Sequence, residues 1–162
     1  IGEETLYIDD GASVDVMVMV DEDGDFENFN IVGVRVSIAH IDDESQSGFG
    51  CAAAEPPQDD VVEASYTHKQ HNGSESTPAA LFDYEVTWYN QSLLGSTVTN
   101  TSEADLKQQL EGGDSGFGEH MLALRVEVQT GGGAFCESED GGEEVTYRIE
   151  LIHLDYEIDD AN

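Results

Sequence analysis

Residues 31–41 read Ile31-Val32-Gly33-Val34-Arg35-Val36-Ser37-Ile38-Ala39-His40-Ile41. Val32, Val34, Val36 and Ile38 alternate with Gly33, Arg35, Ser37 and Ala39, the period of two that turns one set of side chains toward a core and the other toward solvent. Arg35, in the second set, faces outward. The same alternation returns on both sides of this stretch. Upstream, Thr5–Ile8 is a short strand, and Ser13–Val20 places Val14, Val16, Val18 and Val20 on one face. The two are expected to open the domain as a hairpin-like pair. Downstream, Leu81–Tyr89 gathers Phe82, Tyr84, Val86 and Trp88 on one face and is expected to be the second central strand.

The remaining strands follow the same rule. Val61–Thr67 reads as a weaker strand before a polar loop from His68 to Pro78. Met121–Gln129 turns Leu122, Leu124, Val126 and Val128 inward. Glu143–Ile158 is long, and its apolar parity shifts from Val145, Tyr147, Ile149 and Leu151 to Leu154, Tyr156 and Ile158, so a β-bulge is expected near His153. Arg35, Arg125 and Arg148 all fall at outward positions, where cross-strand carboxylates can meet them. The single helix signal is 102–110: a Ser or Thr at its front can cap it, Glu103 and Asp105 lie in its first turn, and Gly112-Gly113 stops it. These elements predict an all-β fold, an antiparallel β-sandwich of immunoglobulin-like or jelly-roll-like kind with one short helix, as a single domain over 1–162.

Composition bounds the environment. The 162 residues carry 36 Asp and Glu against 5 Lys and Arg, a formal net charge of -31. In dilute buffer so much like charge opposes the compact state. At about 1 M ionic strength the Debye length falls to about 3 Å, which removes the repulsion and leaves a strongly hydrated surface. The balance resembles that of proteins from extreme halophiles, haloarchaea and their viruses. It excludes nucleic acid and anionic membranes as partners. Two other readings of the acidity, a nucleic-acid mimic and a cation binder, remain open. No apolar run reaches the roughly 18 residues of a membrane span, and no signal segment stands at the front. The chain begins with Ile1, which reads as a processed or trimmed product.

The two cysteines, Cys51 and Cys136, are expected to form a disulfide in an oxidising compartment; in a reducing cytosol they would be two thiols. Asn72-Gly73-Ser74, Asn90-Gln91-Ser92 and Asn100-Thr101-Ser102 are glycosylation patterns, making Asn72, Asn90 and Asn100 the candidate acceptors. Asp21, Asp23 and Asp25, around Gly24 and continuing to Glu27 and Asn28, offer alternating oxygen ligands to a hard cation such as Ca²⁺. The loop lacks the distal Glu of an EF-hand, and in so acidic a chain it reads equally as a solvated turn. His68 and His71 have no carboxylate or thiolate at a metal-binding spacing beside them. Asp114-Ser115-Gly116 lacks the Gly-x-Ser-x-Gly elbow of a nucleophile. No other cofactor and no catalytic residue is expected, and the chain reads as a non-enzyme.

The runs Tyr84-Glu85-Val86-Thr87-Trp88-Tyr89 and Gly118-Glu119-His120-Met121-Leu122-Ala123-Leu124-Arg125-Val126-Glu127-Val128 resemble the Trp strand and a later paired strand of immunoglobulin-like and PKD-like modules of haloarchaeal surface proteins. The resemblance covers less than half of the chain, and the Gly-Asp-Gly that follows the Trp in PKD modules is absent. It implies a surface-exposed interaction or spacer module. The expected function is therefore an exported structural or adhesive subunit of a halophile's cell surface, a pilus, fibre or envelope component. Its partners would be itself, as a homo-oligomer, or other surface proteins. The segment carrying Leu6, Ile8, Val14, Val16, Val18 and Val20 would serve as assembly strand, by strand donation. The alternatives are a capsid decoration, turret or spike protein on a halophilic virion, and an intracellular acidic nucleic-acid mimic.

Overall fold

The computed structural model describes residues 1–22, 31–41, 45–49, 51, 59–110, 114–129, 131 and 135–154. Within them the chain is an all-β antiparallel sandwich with one short helix. Its elements are β1 (Gly2–Asp9), β2 (Ser13–Val20), β3 (Ile31–Ile41), β4 (Ser45–Ser47), β5 (Val61–His68), β6 (His71–Thr77), β7 (Leu81–Thr87), α1 (Glu103–Leu110), β8 (Gly118–Glu127), β9 (Glu137–Glu139) and β10 (Gly142–His153). One sheet has the order β1-β10-β3-β7, the second β2-β8-β5-β6, and β4 pairs with β9 in a small third sheet.

The alternation read from residues 31–41 sets the core. Val34, Val36 and Ile38 of β3 are fully buried, as are Leu122, Leu124 and Val126 of β8 and Val145 and Ile149 of β10. Each such side chain contributes about 1.5–3 kcal/mol by leaving water. The sheets are also tied by polar reach, with Tyr84 Oη on β7 donating to the Ala64 carbonyl on β5 at 3.1 Å, while Trp88 Nε1, just past β7, donates within its own sheet to the Ile31 carbonyl at 3.2 Å. The helix starts where its cap predicts, with Ser102 Oγ accepting the Asp105 N–H at 3.1 Å and donating to Asp105 Oδ2 at 2.6 Å. The register between β10 and β3 shifts at Ile152/His153, the expected irregularity. The part of the long C-terminal strand expected beyond Leu154 lies outside the described residues.

Three expectations are corrected. β1 and β2 do not form a hairpin: β1 pairs with β10 and β2 with β8, so the Asp10-Gly11 turn carries the chain from one sheet to the other. β7 is an edge strand beside β3, whereas β5, read as weak, is central between β8 and β6. The polar stretch after His68 is the strand β6, folded back on β5 with His68 opposite His71. Its outward residues are Asn72, Ser74 and Ser76 and its core-side ones His71, Gly73, Glu75 and Thr77, so apolar alternation carries no signal there.

Candidate functional site

The two strands of the proposed assembly segment both lie at sheet edges. Ile8 is buried and Leu6 half-buried on β1; Val20 is buried and Val14, Val16 and Val18 are half-buried on β2, all packed into the common core. The outward positions of the two strands differ in chemistry. β1 presents Glu3, Thr5, Tyr7 and Asp9, and Arg148 approaches Glu3 at 3.6 Å. β2 presents Ser13, Asp15, Met17 and Met19, with Met17 63% and Met19 57% exposed. Met17 stands opposite Met121 of β8 in the register, so all three methionines of the chain share one outer corner of the second sheet. Of the other edges, β6 carries Asn72, Ser74 and Ser76 outward, with Glu75 exposed on the side of Ala64, and β7 carries Leu81, Asp83 and Glu85 outward, the last bound by Arg35 at 2.6 Å. Natural edge strands are protected by charge. β2 has one outward carboxylate, Asp15.

Cys51 and Cys136 form the expected disulfide, which closes beside the β4–β9 pair. Next to it Phe49 and Phe135 stack with ring centroids 5.4 Å apart while 89% and 67% exposed. Sequence reading missed this pair because the two rings are separated by the same long excursion that the disulfide closes. Asn72 lies on β6, Asn90 caps a 3-10 turn at Gln91–Leu93, and Asn100 has φ 59°; all three are exposed. Of the acidic loop, Asp21 is exposed, and Asp23 and Asp25 lie outside the described residues.

A buried polar cluster closes one end of the sandwich, and it corrects the view that His68 and His71 lack a carboxylate. The β5–β6 turn brings them onto Asp114, far along the chain. Lys69 Nζ donates to Asp114 Oδ1 at 2.7 Å, His68 Nε2 is 3.5 Å from the same oxygen, and His71 Nε2 is 3.2 Å from Oδ2. The His71 contact is not a hydrogen bond, since Oδ2 has no partner of hydrogen-bond geometry. Burial alone would raise the Asp114 carboxyl. The Lys69 bond, the Gly116 N–H at 2.9 Å, and the charges of Lys69 and His68 outweigh it and hold the group at about 2.

His68 stacks on His120 with ring centroids 4.1 Å apart and on Trp88 at 5.5 Å. The Gly116 carbonyl can only accept, so His120 Nε2 donates to it at 2.8 Å, and Nδ1 then accepts the Tyr66 hydroxyl at 2.6 Å. Burial pushes the His120 pKa down to about 4, against the Gly116 bond and with the help of His68. The Tyr66 hydroxyl is raised, chiefly by burial and then by Asp114. The hydrogen bonds of this cluster join the β5–β6 hairpin to the segment leading into β8, a fastening between the two. No known protein-family profile matches the chain, and no curated protein is significantly similar to it.

Proposed function

We propose that this chain is an exported structural or adhesive subunit of a halophile's cell surface, of the pilus, fibre or envelope kind, that associates with copies of itself along β2. The carrying observation is the edge strand whose outward face carries exposed Met17 and Met19 beside a single carboxylate in a chain of net charge -31. An unprotected strand edge recruits another by main-chain pairing, and the methionines add adaptable apolar surface. High salt screens the like charge that would keep two copies apart. Because β1 and β2 are already docked in their own chain, pairing across the β2 edge is favoured over withdrawal and donation of the segment. The disulfide agrees with an oxidising compartment, and the exposed Asn72, Asn90 and Asn100 leave room for glycans.

Sedimentation velocity from micromolar to millimolar chain, in about 3 M NaCl, tests this. The wild type should associate, and Met19→Glu should stay monomeric with unchanged unfolding. A wild type that remains monomeric at millimolar concentration contradicts the proposal.

A further inference from the structure

At the end of the sandwich where the chain crosses from β1 to β2, carboxylate oxygens of Asp60, Asp140 and Glu143 lie within 4.8 Å of one another. Asp60 and Glu143 are fully buried and Asp140 is half-buried. Buried charges are ordinarily paired or bound to metal.

Two buried groups point to what belongs there. Asp60 Oδ1 accepts the Gln129 N–H at 2.6 Å, whereas its Oδ2 is buried without a hydrogen-bond donor. His40, beside Glu143, bonds through Nε2 to the Ala79 carbonyl, so Nε2 carries the proton. Its buried Nδ1 faces Glu143 Oε2 at 3.9 Å with no hydrogen bond between them.

We propose that Asp60, Asp140 and Glu143 bind Ca²⁺. Oxygen-only ligands select a hard cation, and Ca²⁺ at about 2.4 Å from each oxygen separates opposite ligands by at most about 4.8 Å. The site is distinct from the acidic loop at Asp21 and does not rest on the assembly reading. Asp60 enters β5 of one sheet, Glu143 belongs to β10 of the other, and the crossover turn packs between them through Asp10 N–H to the Gly141 carbonyl at 2.9 Å and Val128 N–H to Asp10 Oδ1 at 3.0 Å. Bound Ca²⁺ therefore staples the two sheets at the turn from which β2 starts.

Scanning calorimetry of the full chain in about 3 M NaCl, with chelator or with CaCl₂, reads the site. At a hundredfold excess over Kd, Ca²⁺ should raise Tm by about 5–10 °C. Asp60→Asn, which keeps the acceptor for Gln129, should abolish the rise, and so should Glu143→Gln, while Asp83→Asn on the exposed face of β7 should retain it. Terbium gives a readout on the wild type alone: Tyr7, whose hydroxyl lies 3.3 Å from where a Cβ on Gly141 would stand, should sensitise its emission, and Ca²⁺ should quench it by displacement. No Tm rise in the wild type overturns the proposal, as does a rise that survives both Asp60→Asn and Glu143→Gln. If neither variant folds, terbium emission that Ca²⁺ fails to displace overturns it.

Discussion

Acid should act on single residues in a definite order. His120 titrates near 4 in the fold against 6.5 when unfolded, so between those values the unfolded chain binds the extra proton and stability falls as pH falls. The loss should begin near pH 6.5, reach about 3 kcal/mol by pH 4, and show as a falling urea midpoint. His120→Gln should flatten that slope; an unchanged slope would place the acid response elsewhere. Asp114, with its carboxyl held at about 2 against 3.8, adds a second loss only as pH falls below 3.8 toward 2. Gly116 is fixed by a different constraint. It adopts φ +75°, and a Cβ there would overlap Ile31 and press on Trp88. Gly116→Ala should cost about 3 kcal/mol, from left-handed strain and overpacking together, measurable by denaturant unfolding; a neutral result would mean that Ile31 yields freely.

Among elements, the β4–β9 pair depends most on a covalent tie. Replacing both Cys51 and Cys136 by Ser reopens a loop of sequence separation 85, and in the chain-entropy picture this costs about 4–5 kcal/mol. Calorimetry should show the lower Tm; equal stability would mean that the loop is held by other contacts. The elements also show where sequence reading works. β3, β8 and β10 announce themselves by alternating Val, Ile and Leu, and α1 by its Ser102 cap. β5 reads as weak because Ala64 is small and Tyr66 carries a hydroxyl, yet both are fully buried. β6 has no apolar alternation, and its turn, Lys69-Gln70, lacks the Asn-Gly signal; Lys69 takes φ 51° and is held by its bond to Asp114. Edge and central positions, and the splitting of β1 from β2, depend on pairings between distant segments that periodicity does not encode. The disulfide was legible because only two cysteines exist. The convergence of His68, Lys69 and His71 on Asp114 was not, and Asp60, Asp140 and Glu143 are hidden among 36 acids until the fold brings them together.

At the scale of the whole molecule, a net charge of -31 makes salt part of the stability. Between about 1 M and 0.1 M salt the Debye length grows from about 3 Å to about 10 Å, so surface carboxylates begin to repel. Tm should fall steeply over that range; a flat profile would separate the acidity from adaptation to salt. The same screening lets two like-charged copies meet at β2, the step on which the proposed surface role depends. Electron cryomicroscopy of the assembly isolated under native salt tests that step most directly. The account predicts fibres or an envelope lattice in which β2 of one subunit continues into an edge strand of the next, with Met17 and Met19 covered. Dispersed monomers, or contacts formed on another face with β2 left open to solvent, would contradict it.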